Sequence, residues 1–412
     1  MLIIYSALVL GGIETFFVRL CEQRYLEGKN TKVLLLFPKS KSDPFLIARL
    51  EKIADIYYLS DITYFCNIFF SYFPLLALFR AKKVKELFSD VSQIHVTSGR
   101  HAVLANHLQH MMGMDLSITI GVYHSKEFAW KYKNCENFYF EKTNRRFILD
   151  FLPKKNIFFF SDSTRQYYTE LCSKNFTSSQ IFRLGVINHD ITMSSKIYNK
   201  QKILKIVSIG RLVNFKQYNL WMLDIIYALK SDNIQILYDI YGTGPLYDIM
   251  KCRINELNLQ NNVFLKGNLP YNDFNSTVLG YDIFVGSGTA IVQASALGVV
   301  CIAGIESEKN PVSYGFFHEC YKYEYHRNNL TLPKVQVFDL IHDFLSWNNS
   351  EKILISKKHV LASKDFGIEQ CSLEFSRDYD ITGYYQISKF KYVLSELVFF
   401  LYSKMKKFNR YN

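Results

Sequence analysis

No two cysteines in this chain are spaced as a CxxC pair. The eight lie singly, at Cys21, Cys66, Cys135, Cys172, Cys252, Cys301, Cys320 and Cys371. That scatter excludes a zinc finger and a dithiol redox motif. Several sit in apolar stretches and read as reduced core thiols. No uninterrupted apolar run is long enough to span a bilayer; the nearest, 62–79, is broken by Asn67, Ser71 and Pro74. The first ten residues are apolar but lack a basic n-region and a convincing cleavage site, so they read as a strand rather than a signal peptide. A GxxxxGK[ST] loop is missing. So are repeats of solenoid period and low-complexity tracts.

What is present belongs to a globular chain: 49% hydrophobic and 21% charged residues over 412 positions. That length holds two domains. Aromatics reach 16%, with 29 Tyr and 34 Phe. Codon bias of an AT-rich genome or an aromatic membrane-facing surface would each give this. The net charge of +12 calls for an anionic partner. Basic residues are spread rather than clustered, and no nucleic-acid-binding module is recognisable. A phosphate-bearing ligand and an anionic membrane surface therefore fit better than nucleic acid.

Predicted strands alternate with helical patterns, which implies parallel α/β architecture. In the first half, 2–10, 32–37, 93–97, 117–123 and 156–160 read as strands and 13–27 as a helix. Periodicity lapses over the polar stretch 189–203, which reads as a linker. The domains are then 1–188, 204–380 and a helical tail at 381–412. Within that tail 383–408 reads as one or two helices.

Two turns carry phosphate chemistry. Gly11-Gly12-Ile13-Glu14 lies between an apolar strand and a helix. Glycine permits close backbone approach, and the helix N-terminus offers free N–H groups to an anion; an ordinary tight turn has the same outline. Gly210-Arg211-Leu212, with Lys216 four residues on, sets a guanidinium fork and a mobile ammonium at a strand-to-helix turn. His124 follows the apolar strand 118–123, at the end where open α/β sheets bind ligands.

The order of 204–304 resembles the donor-nucleotide half of a GT-B glycosyltransferase, specifically glycosyltransferase family 4. The resemblance rests on Gly210-Arg211-Leu212 with Lys216, on Gly242-Thr243-Gly244-Pro245, and on the turn Gly286-Ser287-Gly288-Thr289 leading through Gln293 to Gly298. It implies two Rossmann-like domains facing a central cleft, with the last helix crossing back to the first. It implies a UDP- or GDP-sugar donor, a glycan or lipid-linked acceptor, and retaining transfer with neither metal nor other cofactor. The setting would be bacterial surface-polysaccharide assembly on the cytoplasmic face of the membrane. Arg211, Lys216 and His124 would be catalytic. Gly11, Gly12, Gly210, Gly242, Gly244, Gly286, Ser287, Gly288, Thr289 and Gln293 would bind the donor.

The resemblance breaks at one point. Family 4 members usually carry two glutamates eight positions apart. Here Val285 and Gln293 occupy those positions. A divergent enzyme using backbone and hydroxyl contacts, or a catalytically inert nucleotide- or partner-binding homologue, would each look like this. Glu306 and Glu308, beyond the next strand, read as solvated loop charges. Ser161 resembles the family's serine at the last strand end of the first domain. His101, His107 and His110 read as helix surface or cleft residues. The late Asp378-Tyr379-Asp380 reads as a polar loop rather than a metal site. Two aromatic segments ending in lysines, 62–85 and 393–407, suit an anionic lipid interface, or are buried helices with basic ends.

Overall fold

The computed structural model describes residues 1–123, 128, 137–188, 196, 198 and 203–408. His124, Cys135 and most of the expected linker lie outside them. The chain forms two compact units, Met1–Leu184 with Cys371–Asn412, and Gly185–Gln370. These limits fall short of those read from periodicity for a local reason. Val186 N and Ile187 N donate to Phe366 O (2.8 and 3.0 Å), and Ile368 N donates to Ile187 O (2.8 Å), which ties 186–187 into the second unit.

The first unit holds a seven-stranded sheet: β1 Leu2–Tyr5, β2 Lys32–Leu35, β3 Asp55–Tyr58, β4 Gln93–Val96, β5 Ser117–Val122, β6 Ile157–Phe159 and β7 Gln180–Ile181. Their order is β3-β2-β1-β4-β5-β6-β7, with every pair parallel. Runs such as Leu2-Ile3-Ile4 and Val33-Leu34-Leu35 are apolar on consecutive residues because both faces of a parallel sheet are covered; all six are buried. β1 stops at Tyr5, short of the expected Leu10. Beyond it Leu8 N is taken by Ser42 Oγ (3.0 Å) and Leu8 O by Asp43 N (2.7 Å), so the apolar run continues as a loop.

The returning segment 371–408 completes this unit. Phe375 packs edge-on to His95 (4.8 Å) and Phe158 (5.2 Å). Thr382 Oγ1 accepts from Ile118 N (2.9 Å). Asn106 exchanges two bonds with the Tyr385 backbone, 2.9 and 3.0 Å. These bonds commit 382–385 to partners outside any helix, so the final helix is Lys389–Phe408 rather than beginning at 383. The buried Glu396 lies 2.9 Å from Arg100 Nε.

The second unit holds β8 Leu204–Ile209, β9 Ile236–Tyr241, β10 Val263–Gly267, β11 Ile283–Gly286 and β12 Val300–Ala303. The order is β10-β9-β8-β11-β12, again all parallel. Ile206, Ile283 and Val285 point into one apolar layer, and Val207, Phe284 and Cys301 into the other. In each unit the strand order reverses once, between β1 and β4 and between β8 and β11. Crevices at such reversals are where open α/β sheets take ligands.

Candidate functional site

In the second unit the reversal is floored by glycine. Gly210, Gly242 and Gly244 have φ of +150°, +139° and +148°, a region side chains avoid. A β-carbon on Gly242 would lie 1.9 Å from Gly210 O, and one on Gly244 would lie 2.3 Å from Leu212 O. The loops after β8 and β9 thus touch backbone to backbone. Leu212 N donates to Thr243 O (2.9 Å) and Leu246 N to Leu212 O (3.1 Å). On this floor Arg211 is exposed. Lys216 folds back so that its Nζ sits 2.9 Å from where a Gly210 β-carbon would be. Burial lowers the Lys216 pKa, the Glu306 charge opposes that, and Arg211 adds to it.

β11 ends in Gly286, and Gly288 (φ +67°, ψ −145°) starts the helix Thr289–Ala296, leaving its first N–H groups without intrahelical acceptors. Ser287 between them is buried. Its hydroxyl meets Tyr218 Oη (3.2 Å) and donates to Glu306 Oε1 (3.2 Å). A carboxylate only accepts and a hydroxyl donates once, so the chain runs from Tyr218 through Ser287 to Glu306. Glu306 is therefore not the solvated loop charge expected from sequence. Glu308 is buried, in an ion pair with Lys334 (2.6 Å). Sequence reasoning missed this placement because the loop after β12 is positioned by distant backbone partners. The only local signal was a carboxylate three residues past a strand end.

Gln293 is 7% exposed, and its Nε2 donates to Asn275 Oδ1 (2.9 Å) on the helix Phe274–Leu279. Val285 is fully buried in β11 and brings no polar group to the turn. Thr289 is half-buried at the helix start.

In the first unit, Gly11 precedes the helix Gly12–Leu26 in extended conformation. Glu14 turns back over it: a β-carbon on Gly11 would lie 2.6 Å from Glu14 Oε2. Tyr5 Oη donates to Glu14 Oε1 (2.9 Å). Across the reversal, His101 bridges Ser6 Oγ (3.1 Å) and Thr97 Oγ1 (3.3 Å). Burial, with Arg100 adding, pushes its pKa down to about 4, so the ring is neutral. His101 is thus an interior residue of the strand-end turn, where sequence reading had set it on the helix surface or in the cleft. Ser161 caps its helix, accepting from Thr164 N (3.1 Å). Asp380 N donates to Asn156 Oδ1 (3.0 Å), beside Thr382 at the start of β5 and so at the far end of the sheet. Among the described residues no group of three or more His, Cys, Asp or Glu is placed to hold a metal.

The profile of the family described as "Glycosyl transferases group 1" matches residues 190–309, which span these second-unit loops. No curated protein matches the chain. Among solved structures, Anabaena Alr3699/HepE, in complex with UDP and glucose, superposes with a TM-score of 0.63 at 14% identity. The match covers 91% of this chain and 97% of that one. A glycosyltransferase from Rickettsia africae ESF-5 gives 0.62 at 14% identity, over 91% and 96%. A sucrose-phosphate synthase from Thermosynechococcus elongatus gives 0.63 at 12%, over 91% and 96%. The chain thus has the two-sheet GT-B fold of these structures and carries, over residues 190–309, a match to the group 1 glycosyl transferases.

Proposed function

We propose that this enzyme moves a sugar from a UDP- or GDP-linked donor to a glycan or lipid-linked glycan, with retention and without a metal, in cell-surface polysaccharide assembly. One observation carries this: Arg211 and Lys216 stand on a glycine floor at the sheet reversal. Glycosyl transfer loads negative charge onto the departing diphosphate, and fixed cations favour that transition state. Arg supplies the fork and Lys the point charge. The free N–H groups at Thr289 add a positive dipole end. Ser287 and Gly288 approach the donor, and Gln293 takes the ribose. Gly11 and Gly12 form a further phosphate loop, and His124, outside the described residues, donates to a sugar hydroxyl.

The UDP complexes of HepE and TarM support trying UDP-sugars first. WaaB, a lipopolysaccharide outer core galactosyltransferase with a TM-score of 0.52, supports a surface-glycan acceptor. The test is a donor-hydrolysis and transfer screen over UDP-, GDP- and ADP-sugars, with and without EDTA, beside nucleotide calorimetry. Turnover in EDTA is expected. Rescue of dead enzyme by Mg²⁺ or Mn²⁺ would overturn the metal-free reading. Nucleotide binding with no turnover would instead mark an inert homologue, as the burial of Val285 favours.

The enzyme works at the cytoplasmic membrane face. No helix among the described residues is long and apolar enough to cross a membrane, but the first unit exposes Tyr64, Phe65, Phe69 and Tyr72, and Phe390, Val398 and Leu401. Phe73 meets Phe400 edge-on (5.6 Å), which joins the two segments into one patch. Lys82, Lys83, Lys85, Lys391 and Lys404 accompany it. Each lysine near an anionic leaflet contributes about 1 kcal/mol. Co-sedimentation with anionic vesicles should fall in high salt and on neutralising Lys82, Lys83 and Lys85. No binding at low salt would remove the membrane role.

A further inference from the structure

The loop after β12 is fastened along its length. Gly304 N donates to Gly286 O (2.7 Å), Glu306 N to His326 O (2.7 Å) and Ser307 N to Phe215 O (2.6 Å). Ser307 takes φ of +62°, and its bond lays the loop against the residue preceding Lys216. The Glu306 carboxylate thereby accepts from Ser287 at 3.2 Å, on a loop whose next residue is bonded to the basic loop after β8. The charges acting on the Lys216 ammonium are Glu306 and Arg211. Tyr218, at the start of the next helix, is kept neutral by burial, and Glu308 is engaged by Lys334.

A half-buried ammonium beside a guanidinium is poorly placed to keep its proton, since desolvation and the like charge both favour the neutral amine. A neutral amine would offer nothing to a phosphate. We propose that Glu306 is a positioning residue of this loop. Held by Ser287, it keeps Lys216 protonated and over Gly210 until a diphosphate takes over as counter-ion. The diphosphate half rests on the proposed function; the Glu306–Lys216 coupling does not.

The coupling is read directly from the pH dependence of Lys216 acetylation by acetic anhydride, followed by peptide mass spectrometry. In Glu306→Gln, which keeps an acceptor for Ser287 but loses the charge, the Lys216 midpoint should fall by about one pH unit. That is roughly tenfold more free amine at a pH well below the midpoint. Glu306→Asp should restore most of it, and Lys205 and Lys230 should not change. Calorimetry with UDP and GDP at pH 7 and pH 9 should show Glu306→Gln losing affinity about tenfold more at the higher pH. An unmoved Lys216 midpoint in folded Glu306→Gln overturns the proposal, whatever the nucleotide does. A shifted midpoint in a protein that binds neither nucleotide upholds the coupling and sinks the proposed function instead.

Discussion

The Lys216 ammonium covers the Cα of Gly210, 2.9 Å from where a β-carbon would stand. The side chain that is to meet phosphate is thus placed by a missing side chain six residues earlier. Arg211→Ala or Lys216→Ala should each lower sugar transfer at least ~10²-fold, the scale of about 3 kcal/mol for a lost transition-state donor. Melting temperatures should stay near wild type. Gly210→Ala should reduce the rate as well, by displacing Lys216. Near-normal rates in both cation variants would remove them from the mechanism.

Gly242→Ala should act through stability instead. Its β-carbon would meet Gly210 O at 1.9 Å, a backbone atom that cannot swing aside, at a φ of +139°. Strain and overpacking of this kind cost about 2–4 kcal/mol. Urea unfolding should show the loss in the second unit. An unfolding midpoint equal to wild type would mean that the two glycine loops do not touch as described.

Glu396 gives the first unit an unusual pH dependence. Burial, the largest influence, raises its pKa from 4.5 to about 7 despite Arg100. Between those values the folded chain holds a proton that the unfolded chain has released. Stability contributed here therefore falls as pH rises from about 4.5 to about 7, by an amount of order 1–3 kcal/mol. His95, pushed down to about 3 by burial, has the opposite sign and loses stability as pH drops below about 6.5. Comparing wild type with Glu396→Gln cancels the histidine. The variant should gain relative stability from pH 5 to pH 8; a constant difference would refute the assignment.

Gln293 donates its amide N–H to Asn275 Oδ1 (2.9 Å), which fixes the side chain at the helix that would meet the ribose. Gln293→Glu should keep or improve donor affinity, because a carboxylate can accept from both hydroxyls. Arg211 and Lys216 offset its repulsion of the diphosphate. Gln293→Ala should weaken affinity. If Ala matched wild type and Glu changed nothing, calorimetry would place this residue away from the nucleotide.

Buried parallel strands were legible because burial on both faces leaves an apolar run, as at Leu2-Ile3-Ile4. The same rule misled at Ala7–Leu10, where apolar residues form a loop that Ser42 and Asp43 hold. The Gly210–Lys216 turn was legible since its glycine, arginine and lysine lie within seven residues. Glu306 was not: its position depends on Gly286 and Phe215, 20 and 91 residues away, in contacts that no local pattern encodes. The non-helical stretch before Lys389 was read as helix because its bonds run to Asn106 and Ile118. His124 lies outside the described residues.

Thr382 and Phe375 also set the order in which the molecule can be completed on the ribosome. The second unit has all its residues once Gln370 emerges. The first unit, though begun earlier, still lacks the cover for His95 and Phe158 and the partner for Ile118 N. Its sheet must wait, partly open, through some two hundred further residues of synthesis, when exposed apolar surface invites aggregation. Nascent chains stalled before 371 should therefore be cut by protease in the first unit and spared in the second, and extension past Lys389 should reverse that contrast.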